Sequence, residues 1–208
     1  MVIRGYQTAL IRQLAQQVPD TVVLRWGGPR IAGAVNGQAQ LVSGLAQLEK
    51  LHAAGVRVPE YTRECPIGPG WFGRRNNHTQ GRDIRVQRER GYPASDYWTK
   101  IIEDVLSEWR IHVLHGRVIA RGTKHYVGAG EPGIIRSRRL GWHIRHDVEP
   151  PRGVRNAGRA ACAALGYDLG AVDLLVTSTG VVVLEVNSRP ALRDPYTLTQ
   201  YTNALSTL

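Results

Sequence analysis

Apolar residues recur along the chain at two spacings, and the spacing separates helices from strands. Leu10, Leu14 and Val18 stand at helical intervals and predict a first helix from Tyr6 to Val18. Leu45, Leu48 and Leu51 predict a second, with Ser43 placed to cap it and Gly55 to stop it. Val154, Ala157, Ala161 and Leu165 share one face of a third helix, which starts near Pro151 or Arg152 and ends at Gly166. A last helix is expected over about Pro195 to Leu205. Short apolar runs between them read as strands. Thr21 to Leu24 is one, followed by the turn signal Trp26-Gly27-Gly28-Pro29. Glu108 to His115 and Arg117 to Thr123 flank a hairpin turn at His115-Gly116. Asp168 to Asn187 holds two more strands around Thr177-Ser178-Thr179-Gly180. Val56 to Tyr61 begins as a strand and breaks at Pro59. Residues 66–81, with four glycines and no apolar period, read as a loop, or a loop between two strands. Tyr97 to Val105 has no clean period, and residues 126–147 are rich in Gly, Arg and His. Prominent hairpins with irregularly placed helices predict an α+β fold rather than a doubly wound parallel sheet.

Composition narrows the function classes. The 208 residues suit one domain or two small lobes, and 42% hydrophobic residues suffice for a core. The net charge is +10, but only three of the 27 cations are lysines, Lys50, Lys100 and Lys124. A lysine-based DNA-coating tail is excluded. The 24 arginines suit bidentate contacts to carboxylates and phosphates, although arginine excess also follows from GC-rich coding. Two cysteines, Cys65 and Cys162, exclude a disulfide scaffold and a four-cysteine zinc site. No apolar run reaches membrane-spanning length and the N-terminus lacks a signal-type apolar stretch, so a cytoplasmic protein is expected.

The candidate chemistry lies in residues 168–192. Asp173 stands between Val172 and Leu174, and Glu185 between Leu184 and Val186. A carboxylate in a core strand needs a cation or donors. Glu185 and Asn187, two apart, leave the same face of their strand. A three-residue loop at Ser178–Gly180 would set Asp173 opposite Glu185. Three oxygen-bearing side chains then converge, with the hard donors that Mg²⁺ prefers. Zinc is disfavoured: His112 and His115 face opposite sides of a strand, and His143 and His146 lack a Cys or acidic partner at zinc-site spacing.

This stretch resembles the metal-binding hairpin of the ATP-grasp superfamily, the fold of D-alanine–D-alanine ligase, glutathione synthetase and RimK-type glutamate ligases. The resemblance implies two α+β lobes clasping ATP, with Asp173, Glu185 and Asn187 as Mg²⁺ ligands. Ala191 stands where the family often has glycine. Residues 107–124 are similar to the family's Glu-aromatic-Arg strand and hairpin, which puts Arg110 near the phosphates and makes Lys124 a further phosphate or substrate contact. Lys100, Ile101 and Ile102 would be the adenine-binding hinge, with Glu103 or Asp104 on the ribose. Arg74 or Arg75 stands where many members carry a lid lysine, with Arg75 the favoured phosphate contact and Gly81 in the flap. Arg136 and Arg139, in a basic run over residues 135–145, are candidates for substrate carboxylate and phosphate. The implied organisation is a reduced N-terminal segment over residues 1–40, a lid lobe and hinge over 41–105, and a core lobe over 106–208. The implied activity is an ATP-dependent carboxylate–amine ligase that forms an amide or peptide bond through an acyl-phosphate, on an amino-acid or peptide substrate. The alternative is a non-catalytic basic nucleic-acid-binding protein on a degenerate scaffold, using Trp142 and the arginines around it.

Overall fold

The computed structural model describes residues 1–5, 9–76, 85–86, 95–192 and 194–208; Tyr6 at the expected start of the first helix and Gly81 of the expected flap lie outside them. The chain opens with a strand the hydrophobic pattern does not signal, β1 (Val2–Gly5). It pairs in parallel with β2 (Val23–Trp26), and α1 (Ala9–Gln17) connects the two. Ile11 and Leu14 of α1 pack with Leu24 and Trp26 against α4 (Pro195–Leu205). The two ends of the described chain thus share one core.

Next comes α2 (Gly44–Ala53). Ser43 is at its cap position but makes no capping bond with its side chain. Asn76 supplies one instead, its Oδ1 accepting from the Leu45 N–H at 3.2 Å. Gly55, with φ of 74°, ends the helix as its lack of a Cβ permits. The expected strand at Val56 to Tyr61 is only β3 (Tyr61–Thr62). β4 (Trp71–Arg74), β5 (Arg85–Val86) and β6 (Tyr97–Lys100) join it in a four-stranded sheet of order β3-β6-β4-β5.

A larger sheet is built from two hairpins. β7 (Val105–Leu114) and β8 (Arg117–Tyr126) meet at His115-Gly116, whose φ values of 44° and 72° fit the expected two-residue turn. β9 (Trp142–Arg145) lies on the outer edge of β8. After α3 (Val154–Leu165), capped by Gly166 as expected, come β10 (Leu169–Thr177) and β11 (Gly180–Asn187). The order is β11-β10-β7-β8-β9. One face is apolar: Trp109, Ile111, Val172, Leu174 and Val183 pack with Val154, Ala161 and Leu165 of α3. A Cβ at Gly158 would come within 2.9 Å of Ile111, so glycine lets α3 lie close on β7. The opposite face carries the charges.

Candidate functional site

The β10–β11 turn is one residue shorter than expected, since Thr177 pairs with Gly180. That register alone would misalign the two carboxylates. A bulge beside Asp173 and Leu174 adds a residue to β11 and sets Asp173 opposite Glu185. Across the other edge of β10, Asp173 pairs with Arg110 of β7. One row therefore crosses three strands: Arg110, Asp173, Glu185.

Arg110 grips Asp173 with two bonds, Nε to Oδ1 and Nη2 to Oδ2, both 2.7 Å. Asp173 is only 5% exposed. Burial pushes its pKa up, but the Arg110 charge and hydrogen bonds outweigh this and bring it down to about 2. The Asp173 charge in turn holds the Arg110 pKa above its usual value. Asn187 Nδ2 donates to Glu185 Oε1 at 2.9 Å and reaches Asp173 Oδ2 at 3.5 Å. The three expected ligands thus stand together. Asp173 Oδ1 accepts one bond and keeps a second lone pair, and Asn187 Oδ1 and Glu185 Oε2 accept no bond among the described residues. An all-oxygen donor set of this kind fits Mg²⁺.

Two residues along β7 on the same face, Glu108, the acid of the Glu-aromatic-Arg strand, is 5% exposed. Lys124 Nζ contacts its Oε1 and donates to the Arg136 carbonyl at 2.7 Å. Arg136 Nε lies 3.9 Å from Oε2, and its guanidinium covers the Trp142 ring at 4.8 Å. Burial raises the Glu108 pKa against the pull of these cations. Lys124 and Arg136 are therefore held side by side. Arg139 is exposed on the 3-10 turn Arg138–Leu140 and makes no ion pair among the described residues.

The remaining candidates sit on the smaller sheet and its exit. Arg74 donates to Thr99 Oγ1 at 2.9 Å, while Arg75 is exposed just beyond β4. Lys100 pairs with Glu60 at 3.2 Å, and the Ile101 N–H donates to the Gly70 carbonyl at 2.7 Å. Ile102 is half-buried and Glu103 is exposed. Asp104 accepts from both the N–H and the hydroxyl of Ser178, and Arg57 donates to Thr179, so the β10–β11 turn is tied to this segment. An open cleft runs along it, bounded by Arg57, Pro59, Ile101, Ile102 and Val182.

No protein-family model and no curated protein matches the chain. Solved structures do. D-alanine–D-alanine ligase from Bacillus anthracis complexed with ATP matches with TM-score 0.67 at 13% identity, over 98% of this chain and 90% of that one. A RimK domain ATP-grasp protein from Sphaerobacter thermophilus matches with TM-score 0.64 at 12% identity, over 99% and 97%. The chain has the ATP-grasp fold. The ATP-grasp ligase PsnB, complexed with its minimal precursor, matches with TM-score 0.59 at 15% identity over 80% of this chain, which spans 60% of the PsnB chain.

Three further residues brace the elements around the charged row. His112, next along β7 after Arg110 on the same face, is buried and bonds Tyr201 of α4 through Nδ1 at 2.8 Å. Burial and the Arg110 charge lower its pKa to about 3, so the imidazole is neutral. Asn36, fully buried with φ of 59°, donates to the Leu169 carbonyl and accepts from its N–H at 2.7 and 2.8 Å. It thereby docks the loop after β2 onto the start of β10. Arg25 is 5% exposed and donates to the carbonyls of Gly28, Asn36, Gly37 and Ala39. Only Asn36 and its αL conformation had a local signal, since asparagine tolerates positive φ.

Proposed function

We propose that the chain is an ATP-dependent carboxylate–amine ligase that forms an amide or peptide bond through an acyl-phosphate, on an amino-acid or peptide substrate. The observation that carries the reading is the row Arg110, Asp173 and Glu185, joined by Asn187, on the charged face of a sheet whose other face is apolar. D-alanine–D-alanine ligase complexed with ATP and PsnB complexed with Mg and ADP share the fold and support it. Asp173, Glu185 and Asn187 would hold Mg²⁺, which supplies charge neutralisation at phosphate oxygens. Arg110 commits Nε and one Nη2 hydrogen to Asp173, which leaves its Nη1 hydrogens for a phosphate oxygen. Lys124 and Arg136, lined up by Glu108, would meet the transferring phosphoryl or the substrate carboxylate. Arg75 would reach the phosphates from the lid side and Arg139 the substrate. Lys100, Ile101 and Ile102 would meet adenine, with Glu103 at the ribose. Residues 1–40, 41–105 and 106–208 would serve as reduced N-terminal segment, lid lobe with hinge, and core lobe. In this scheme the protein positions anions and needs no side-chain nucleophile. The test is ADP formation across matrices of carboxylates and amines. Turnover that requires both partners and is lost in Asp173→Asn supports the reading; ADP formation indifferent to both partners contradicts it.

A further inference from the structure

We infer that Gln47 of α2 is a positioning residue for the metal site: its buried amide closes the outer edge of β11 at Val186 and thereby fixes Glu185 and Asn187 for Mg²⁺. The inference rests on the ligase reading above. Gln47 shares a face of α2 with Leu51, one turn on. It is 5% exposed, a polar side chain set among Leu45, Leu48 and Leu51. A buried amide needs partners for its oxygen and for both N–H groups, and Gln47 has them. Its Oε1 accepts from the Val186 N–H at 2.7 Å. Its Nε2 donates to the Val186 carbonyl at 2.9 Å and to the Val42 carbonyl at 3.1 Å.

Val186 stands between two of the proposed ligands. Its N–H belongs to the peptide plane that carries the Glu185 Cα, and its carbonyl to the plane that carries the Asn187 Cα. One side chain therefore holds both planes. β11 is the last strand of its sheet, so β10 ties only its inner edge. That ladder is interrupted by the bulge, whose extra residue, Leu184, directly precedes Glu185. On the outer edge, the Arg57 carbonyl accepts from the Val183 N–H at 2.8 Å ahead of the bulge, and Gln47 takes over after it. The helix that delivers the amide is itself located. Asn76 bonds the Leu45 N–H and lies so close on Gly44 that a Cβ there would meet its Oδ1 at 2.6 Å. The argument from chemistry is that Mg²⁺ demands near-octahedral geometry at about 2.0–2.1 Å, which tolerates little drift between Glu185 and Asn187. Groups that orient metal ligands are typically worth about 10–100-fold in metal affinity.

The experiment titrates ADP calorimetrically into the full chain, with Mg²⁺ and again with EDTA, at one temperature below every variant's unfolding midpoint. The ratio of the two affinities is the gain that the metal supplies. Gln47→Met keeps the side-chain length and removes its three bonds. The gain should then fall by about tenfold or more, while the ADP affinity in EDTA stays within about twofold of wild type. Gln47→Asn, a milder change that withdraws the amide by one methylene, should move the gain in the same direction. Asn36→Ala is the control: it removes the same kind of backbone pair, from Leu169 of β10, and should lower stability yet leave the gain intact. A gain undiminished in Gln47→Met, or in Gln47→Asn where Gln47→Met does not fold, overturns the inference while the nucleotide site stands. A gain that Asn36→Ala lowers equally overturns it too, since general loosening would then explain the loss. No gain from Mg²⁺ in wild type instead defeats the ligase reading and this inference with it.

Discussion

A carboxylate that is 5% exposed, as Asp173 is, persists as an anion because Arg110 delivers two N–H groups to it. Removing one partner leaves a buried charge without an answer, which costs about 3–5 kcal/mol, whereas replacing both with apolar residues is often near neutral. Arg110→Met should therefore lower the urea midpoint far more than the Arg110→Met, Asp173→Leu double variant. Equal losses in the two would contradict the pairing. Titration adds a second test at this scale. The folded pKa of His112 is depressed to about 3 from 6.5, so its contribution is complete above pH 6.5 and shrinks as pH falls toward 3. Asp173, depressed to about 2 from 3.8, loses its contribution only below about pH 3.8. Stability should decline in two stages on acidification, and His112→Gln should flatten the stage between pH 6.5 and 4. An unchanged slope there would show that His112 protonates freely in the folded state.

At the scale of elements, one side chain docks the loop after β2 onto β10. Asn36 makes both bonds of a backbone pair with Leu169, and Asn36→Ala strands two buried groups at about 1–3 kcal/mol each. The thermal midpoint should fall by several degrees; a fall under one degree would mean that Arg25 and the Asn36 N–H bond to Asp168 suffice to hold the loop. How far such elements could be read from sequence depended on the length of their pattern. The β7–β8 hairpin, α3 and α4 were legible because each carries a sustained period and a turn or cap residue at its end, such as His115-Gly116, Gly166 and Pro195. β1, β4 and β9 were not, because each has only four residues and two of them lie among arginines and glycines without an apolar period. Asp173 and Glu185 were legible as acids among valines and leucines. Glu108 was legible as a strand residue but not as a buried acid paired with Lys124 and Arg136, since Ser107 beside it is polar and those cations lie on other elements. The pairing of Asp173 with Glu185 was foreseen, but through a longer turn; a bulge cannot be counted from spacing.

Over the whole molecule, both ends of the described chain share one apolar core, and α4 reaches from it to the charged row. Leu198, Tyr201 and Leu205 of α4 share a core with Ile11, Leu14 and Trp26, and Tyr201 also holds His112 beside the charged row. A chain lacking residues 1–20 should expose that apolar face of α4, bind a hydrophobic dye and lose its sharp unfolding transition. A sharp transition at the same midpoint would show that the first βαβ unit is dispensable. Among the described residues no helix is long and apolar enough to cross a membrane.

The central claim is that the face bearing Arg110, Asp173, Glu185 and Asn187 binds a nucleotide with Mg²⁺. Thermal unfolding with ADP and Mg²⁺, on wild type and Glu185→Ala, tests it most directly. Ligand at a hundredfold excess over Kd stabilises a fold by about 2.7 kcal/mol. At about 2–4 °C per kcal/mol for a chain of this size, the midpoint should rise by roughly 5–10 °C. The account predicts that rise in wild type, its loss on chelation of Mg²⁺, and its absence in Glu185→Ala. No rise in wild type, or an equal rise in Glu185→Ala, would contradict it.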